Sequence, residues 1–225
     1  MKTLAGTLAA IVMLAPGIAS AHPHIWISQH VRAIEQGGQY THVEIEWHFD
    51  PEASEGEIPP IDEDRDGKIS MAETKSLADD MLPELQKAGF LTWLNTGMAD
   101  FRPPQLPTLV ARIDDPATFT PPDWNHDDGD DKSAKGGMPM PENKRVTQPD
   151  RHAGPRNLVY VMRFALPQPV KAFTITTQDA EDFIRIEVDK DSLPKGCTLD
   201  KHPTYKSEFV PGKPVFADRV SCKLR

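Results

Sequence analysis

Twelve consecutive residues, Asp62 to Glu73, carry ligand-type side chains at the spacing of a calcium loop. Asp62, Asp64 and Asp66 stand at the first, third and fifth positions and Gly67 at the sixth, where a calcium loop turns sharply. Lys68 stands at the seventh, where only a carbonyl is asked for, Ser70 at the ninth, and Glu73 at the twelfth, where both carboxylate oxygens are used. Ca²⁺ is a hard ion that takes six to eight oxygens, and this spacing wraps them around one point. Ile69 is the apolar residue expected to pin the loop to a core. The expected cofactor is therefore Ca²⁺, held by Asp62, Asp64, Asp66, Lys68, Ser70 and Glu73.

A second group is rich in imidazole. His22 and His24 flank Pro23, and His30, Glu46 and His48 follow in two alternating stretches. Imidazole suits borderline cations: Zn²⁺, Ni²⁺, Co²⁺ or Cu²⁺. Pro23 has no N–H, so the square-planar mode that uses deprotonated backbone amides is blocked at this end, while the rings and an α-amine stay usable.

The elements that must position these groups are mostly strands. Ile25 to Ala33 alternates apolar and polar residues, Gly37-Gly38 marks a turn, and Tyr40 to Phe49 alternates again. A two-residue loop would set Val31 against Glu44 and mix the faces. A three-residue loop sets Val31 against Ile45 and His30 against Glu46, which sorts them, so that register is expected. The polar face then carries His24, His30, Glu46 and His48. Pro59 and Pro60 argue against a helix before the acidic loop. Leu77, Met81 and Leu85 predict one after it, kinked or split at Pro83 and ended by Gly89. Short strands are expected at 90–94, 106–113, 157–166, 172–177, 183–188 and 215–223. The expected fold class is mainly β: a β-sandwich-like domain with an inserted EF-hand-type loop and helix at 62–88.

Lys2, the apolar run Leu4 to Ile18 and Ala19-Ser20-Ala21 predict a signal peptide over 1–21, leaving a single periplasmic domain at 22–225 with no transmembrane span. In an exported chain the cysteine pair Cys197 and Cys222 predicts a disulfide. The acidic stretch 121–156, with His126, Met138, Met140 and His152, is expected to be disordered. A formal net charge of −9 argues against nucleic acid and suits cations as partners. No Gly-x-Ser-x-Gly, His-Glu-x-x-His or phosphate loop is present, so no enzyme is expected.

His22-Pro23-His24, Trp26, Trp47-His48-Phe49-Asp50, the acidic loop with its helix, and the stretch Phe173 to Val188 together resemble the domain of unknown function 1007 family. Proteins of that family are described as periplasmic components of an uncharacterised ABC-type transport system, often beside nickel, cobalt or zinc transporters. The resemblance implies a metal-handling accessory protein and a membrane metal transporter as partner. It supports His22 and His24 but not His48, which stands at the variable position of the family's Trp-x-Phe-Asp motif. Two other classes fit parts of the pattern: a calcium-stabilised extracytoplasmic binding or adhesion module, and a copper histidine-brace oxygenase built on an amino-terminal His.

Overall fold

The computed structural model describes residues 25–115, 118–119, 155–210 and 212–224. The signal-type segment, His22, His24 and the 120–154 part of the acidic stretch lie outside the described residues. Among the described residues, nine strands and two α-helices are formed, in the order β1 (Ile25–Gln36), β2 (Gln39–Phe49), α1 (Pro51–Ile61), α2 (Met71–Lys87), β3 (Thr92–Asn95), β4 (Thr108–Asp114), β5 (Asn157–Val170), β6 (Ala172–Thr177), β7 (Ile184–Val188), β8 (Cys197–Val210) and β9 (Lys213–Lys223). The mainly-β expectation is met. One sheet runs β4-β5-β2-β1-β7 and the other β3-β6-β9-β8. All neighbours are antiparallel except β1 and β7, which run parallel.

Alternation decides which face of each sheet is dry. Val31, Val43, Ile45, Met162 and Phe164 of the first sheet and Leu94, Ile175 and Val220 of the second belong to one buried core. On the other face of the first sheet stand His30, Arg32, Glu44, Glu46 and His48, one residue out of step with the core set.

The β1–β2 register is the expected one: Val31 faces Ile45 and His30 faces Glu46. The way it arises differs. The loop is the two-residue Gly37-Gly38, both with positive φ (60° and 74°), which suits a tight hairpin turn. The pairing then steps from Glu35–Tyr40 to Ile34–His42, so Thr41 is an extra residue on β2. This bulge does the work assigned to a third loop residue.

One expectation about proline fails. Glu55 to Pro60 is helical: α1 runs to Ile61 with Pro59 and Pro60 inside it. Each proline removes one N–H bond to the carbonyl four residues back, but both fall in the last turn, so little helix has to continue past them, and Gly56 lies four residues before Pro60, where the ring crowds the chain. Asp50 caps the start by accepting the Ala53 N–H at 2.8 Å. Ser54, Ile58 and Ile61 bury one stripe of α1, and this burial outweighs the lost bonds. α2 is not split at Pro83, which lies inside it. It ends where expected, with Gly89 at φ 61° just beyond Ala88.

The strand expected at 90–94 begins later. Phe90 and Leu91 have φ of 56° and 50° in a short 3-10 turn, Gly89–Leu91, so they cannot be extended. Phe90 is fully buried, and its packing offsets the strain. β8 carries no clear strand pattern in the sequence, because Lys201, Pro203 and Lys206 interrupt it. Its pairing with β9 shifts between Lys201 and Lys206. Cys197 faces Cys222 in that ladder, and the two are disulfide-bonded.

Candidate metal centre

The β1–β2 register places His30 opposite Glu46, and the period of two puts His48 on the same face, next along β2. β5 lies on the other side of β2, pairing Val161 with Glu46 and Val159 with His48. β4 follows, with Arg112 paired to Val159. The short valines leave room for the Arg112 side chain to cross above them. Its Nη2 reaches Glu46 Oε2 at 2.8 Å, while its Nε reaches Asp114 Oδ1 at 2.8 Å. From β1, Arg32 Nη2 reaches Glu46 Oε1 at 2.8 Å.

Ligand atoms of His30, Glu46 and His48 lie within 4.8 Å of one another. His48 and Glu46 are almost wholly buried, at 2% and 3% exposure. The His30 and His48 rings lie 4.0 Å apart, tilted by 35°. His48 Nδ1 is 2.9 Å from the Thr118 hydroxyl, which itself donates to Asp114 Oδ2 at 2.9 Å. With that hydroxyl proton committed to Asp114, Nδ1 must carry hydrogen and donate to Thr118. In the neutral ring, Nε2 is then a bare lone pair. It stands 3.3 Å from Glu46 Oε2 yet out of line for a hydrogen bond. His30 Nε2 is likewise buried without a hydrogen bond, 3.4 Å from Asp189 Oδ2.

A buried polar atom left unpaired costs roughly 1–3 kcal/mol, so two side by side ask for a reason. Two imidazole nitrogens and one carboxylate are the donor set of zinc-type sites. Ligand atoms around a tetrahedral Zn²⁺ sit about 3.3 Å apart, so a small closure of this cluster would complete the set. The residues therefore fit a borderline divalent cation. Charge state agrees. Burial, then the neighbouring His48, lowers the His30 pKa despite the carboxylates of Asp189 and Glu46, which keeps the ring neutral and able to ligate. A hydrogen on His48 Nε2, present when that ring is charged, together with Arg112 and Arg32 holds the Glu46 carboxyl down to about 2 against the upward push of burial; beside the neutral ring the two arginines keep the downward pull.

Thus three of the five imidazole-group candidates come together, and His22 and His24 lie outside the described residues. Arg32, Arg112, Asp114 and Asp189 were not singled out from the sequence. Asp189 arrives beside His30 because β7 runs parallel to β1, pairing Val188 with Gln29. No local pattern signals such a pairing.

The acidic loop joins α1 to α2. Asp62, 5% exposed, accepts the Asp66 and Gly67 N–H groups through its two oxygens at 3.1 and 3.0 Å. Asp64 also accepts from Asp66 N, at 3.1 Å, and Asp66 accepts from Lys68 N at 2.8 Å. Gly67 takes a φ of 84°. Carboxylate oxygens of Asp62, Asp64 and Asp66 lie within 4.8 Å of one another, and Ile69 packs against the core. Ser70 and Glu73 are engaged differently. The Ser70 hydroxyl accepts Glu73 N at 3.2 Å, and Glu73 accepts Ser70 N and Glu63 N, each at 2.8 Å. They form a capping box at the start of α2. The Ser70 N–H and hydroxyl hold the Glu73 carboxyl below its usual range.

Among the described residues no helix is long and apolar enough to cross a membrane. A family model described as "Protein of unknown function (DUF1007)" matches residues 7–210. No curated protein and no solved structure matches the chain.

Proposed function

The chain belongs to the DUF1007 family, and from that premise we propose that it is an exported, non-catalytic metal-binding protein. It takes a borderline divalent cation (Zn²⁺, Ni²⁺, Co²⁺ or Cu²⁺) at His30, Glu46 and His48. The observation that carries this reading is the pair of buried imidazole Nε2 atoms without hydrogen bonds beside the Glu46 carboxylate. The cation is cargo here, and no bond of a substrate is made or broken. Service to a membrane metal transporter is supported by the family resemblance. Export to the periplasm is supported by the signal-type segment 1–21 and by the Cys197–Cys222 bridge, which suits an oxidising compartment.

A second ion belongs to this proposal. Asp62, Asp64 and Asp66 converge at the turn between the helices, and a Ca²⁺ ion there would steady α1 against α2. Lys68, Ser70 and Glu73 complete the proposed set, with Glu73 leaving its capping role to bind. Hard oxygen ligands and imidazoles prefer different ions, so the two sites load independently.

Calorimetric titration of chelator-stripped protein with Zn²⁺ tests the main site. His30→Ala with His48→Ala should abolish the tight event and leave Ca²⁺ binding intact. His22→Ala with His24→Ala should leave it in place if the sheet cluster is the main site. Loss in the amino-terminal variant and survival in the sheet variant would move the assignment to His22 and His24. Absence of any event in the wild type would end the metal-binding reading.

A further inference from the structure

We propose that Arg32 is the internal competitor of the bound cation: its guanidinium leaves Glu46 when the metal enters and returns when the metal departs. The inference rests on the metal-binding reading above and assigns its regulation. Glu46 is the carboxylate of the ligand set, and both its oxygens are occupied, Oε1 by Arg32 and Oε2 by Arg112, each at 2.8 Å. Each oxygen keeps a second lone pair, so the cation and the guanidiniums compete for charge and space around one buried carboxylate.

The two arginines are held very differently. The Arg32 side chain is 62% exposed and reaches down from water onto a carboxylate that is 4% exposed. It stands two residues after His30 on the same face of β1, over the solvent side of the cluster. Releasing it returns a guanidinium to water, where its charge is well solvated. Arg112 is clamped. Its Nε and Nη2 straddle Asp114 at 2.8 and 3.5 Å, and Asp114 also receives the Thr118 hydroxyl that orients His48. Moving Arg112 would disturb the fork and the His48 tautomer together. Arg112 is therefore a positioning residue: it holds Glu46 Oε2, the oxygen that faces His48 Nε2 at 3.3 Å, while the cation replaces the positive charge that Arg32 supplies at Oε1.

Charge points the same way. Glu46, Asp114 and Asp189 carry three negative charges against two positive ones from Arg32 and Arg112. A divalent cation added on top leaves an excess positive charge in a poorly solvated place. A divalent cation in exchange for Arg32 leaves none. An exchange site of this kind holds metal reversibly, which suits a protein that must hand its ion on.

The test is competition between the full-length protein and a chromophoric chelator for Zn²⁺. Arg32→Gln should bind about three- to tenfold more tightly than wild type. Arg32→Lys, which restores the positive charge, should return to within about twofold. Arg112→Gln should weaken binding by at least about tenfold. In ¹⁵N spectra, the Arg32 Nε signal should move to a solvated position on Zn²⁺ addition while that of Arg112 stays. Unchanged or weaker binding by Arg32→Gln, or an Arg32 signal that does not move, overturns the exchange. Absence of binding in wild type, or its survival in the His30→Ala, His48→Ala variant, overturns the underlying metal site instead.

Discussion

The Thr74 hydroxyl on α2 sits between the backbone N–H and C=O of Ala111 on β4, 3.4 Å from the nitrogen and 3.5 Å from the oxygen. β4 is an edge of its sheet, so this side chain takes the place of a missing strand. It also joins two regions: Thr74 follows Glu73 of the acidic loop, and Ala111 precedes Arg112 of the metal centre. Thr74→Val keeps the volume and removes the hydroxyl. It should cost about 1 kcal/mol, read as a lower urea midpoint with an unchanged slope.

Calcium should raise the melting temperature, since only the folded loop brings its carboxylates together. A ligand at a hundred times its Kd stabilises by about 2.7 kcal/mol. Glu73→Gln is a selective probe. Glutamine can still close the capping box, so the melting temperature in EDTA should hardly change. The calcium-dependent increment should disappear. A variant that keeps the full increment excludes Glu73 as a ligand.

Asp100 makes the fold sensitive to acid. Arg102 lies 3.6 Å over the Trp93 ring, Trp93 stacks on Tyr205, and Tyr205 stacks on His202. His202 Nδ1 accepts the N–H groups of Thr204 and Tyr205, so its Nε2 carries the hydrogen and donates to Asp100 at 3.2 Å. Burial pushes the Asp100 carboxyl up, but the hydrogen bonds of Asn95, His202 and Tyr205 outweigh it and hold its pKa below the ordinary 3.8. A carboxyl depressed in the folded state binds fewer protons than in the unfolded chain. Its contribution is complete above pH 3.8 and is lost as pH falls below it. The stability gap between wild type and Asp100→Asn should be constant at neutral pH and shrink in acid. A gap that is the same at pH 3 and pH 7 would contradict this.

The Cys197–Cys222 bridge fastens β8, at the edge of its sheet, to β9. The sequence separation of 25 gives about 3–4 kcal/mol on the chain-entropy model. Thermal unfolding with and without reductant should show that loss, and unreduced protein should not react with maleimide. Reaction at both thiols in native protein would refute the pairing.

The hairpin shows how far a pattern can be read. A one-residue slip in β1–β2 would turn every side chain to the wrong face, so alternation, with the turn placed at Gly37-Gly38, selects the pairing of Val31 with Ile45 and His30 with Glu46. Loop length was a poorer guide, because a bulge at Thr41 can take up a residue. For α1, Ser54, Ile58 and Ile61 already have helical spacing in the sequence, but the local rule about Pro59 and Pro60 weighed more than the packing that overrides it.

The sequence by itself determined the strand faces, the β1–β2 register, the cysteine pair, and the juxtaposition of His30, Glu46 and His48. Each of these follows from short-range periodicity or from residue chemistry. Only the tertiary structure decided what surrounds that trio. Arg112 and Asp114 come from β4, and Asp189 follows β7, which runs parallel to β1. Pairings between distant segments are set by which apolar faces bury together. No periodicity within one strand records which other strand will lie beside it.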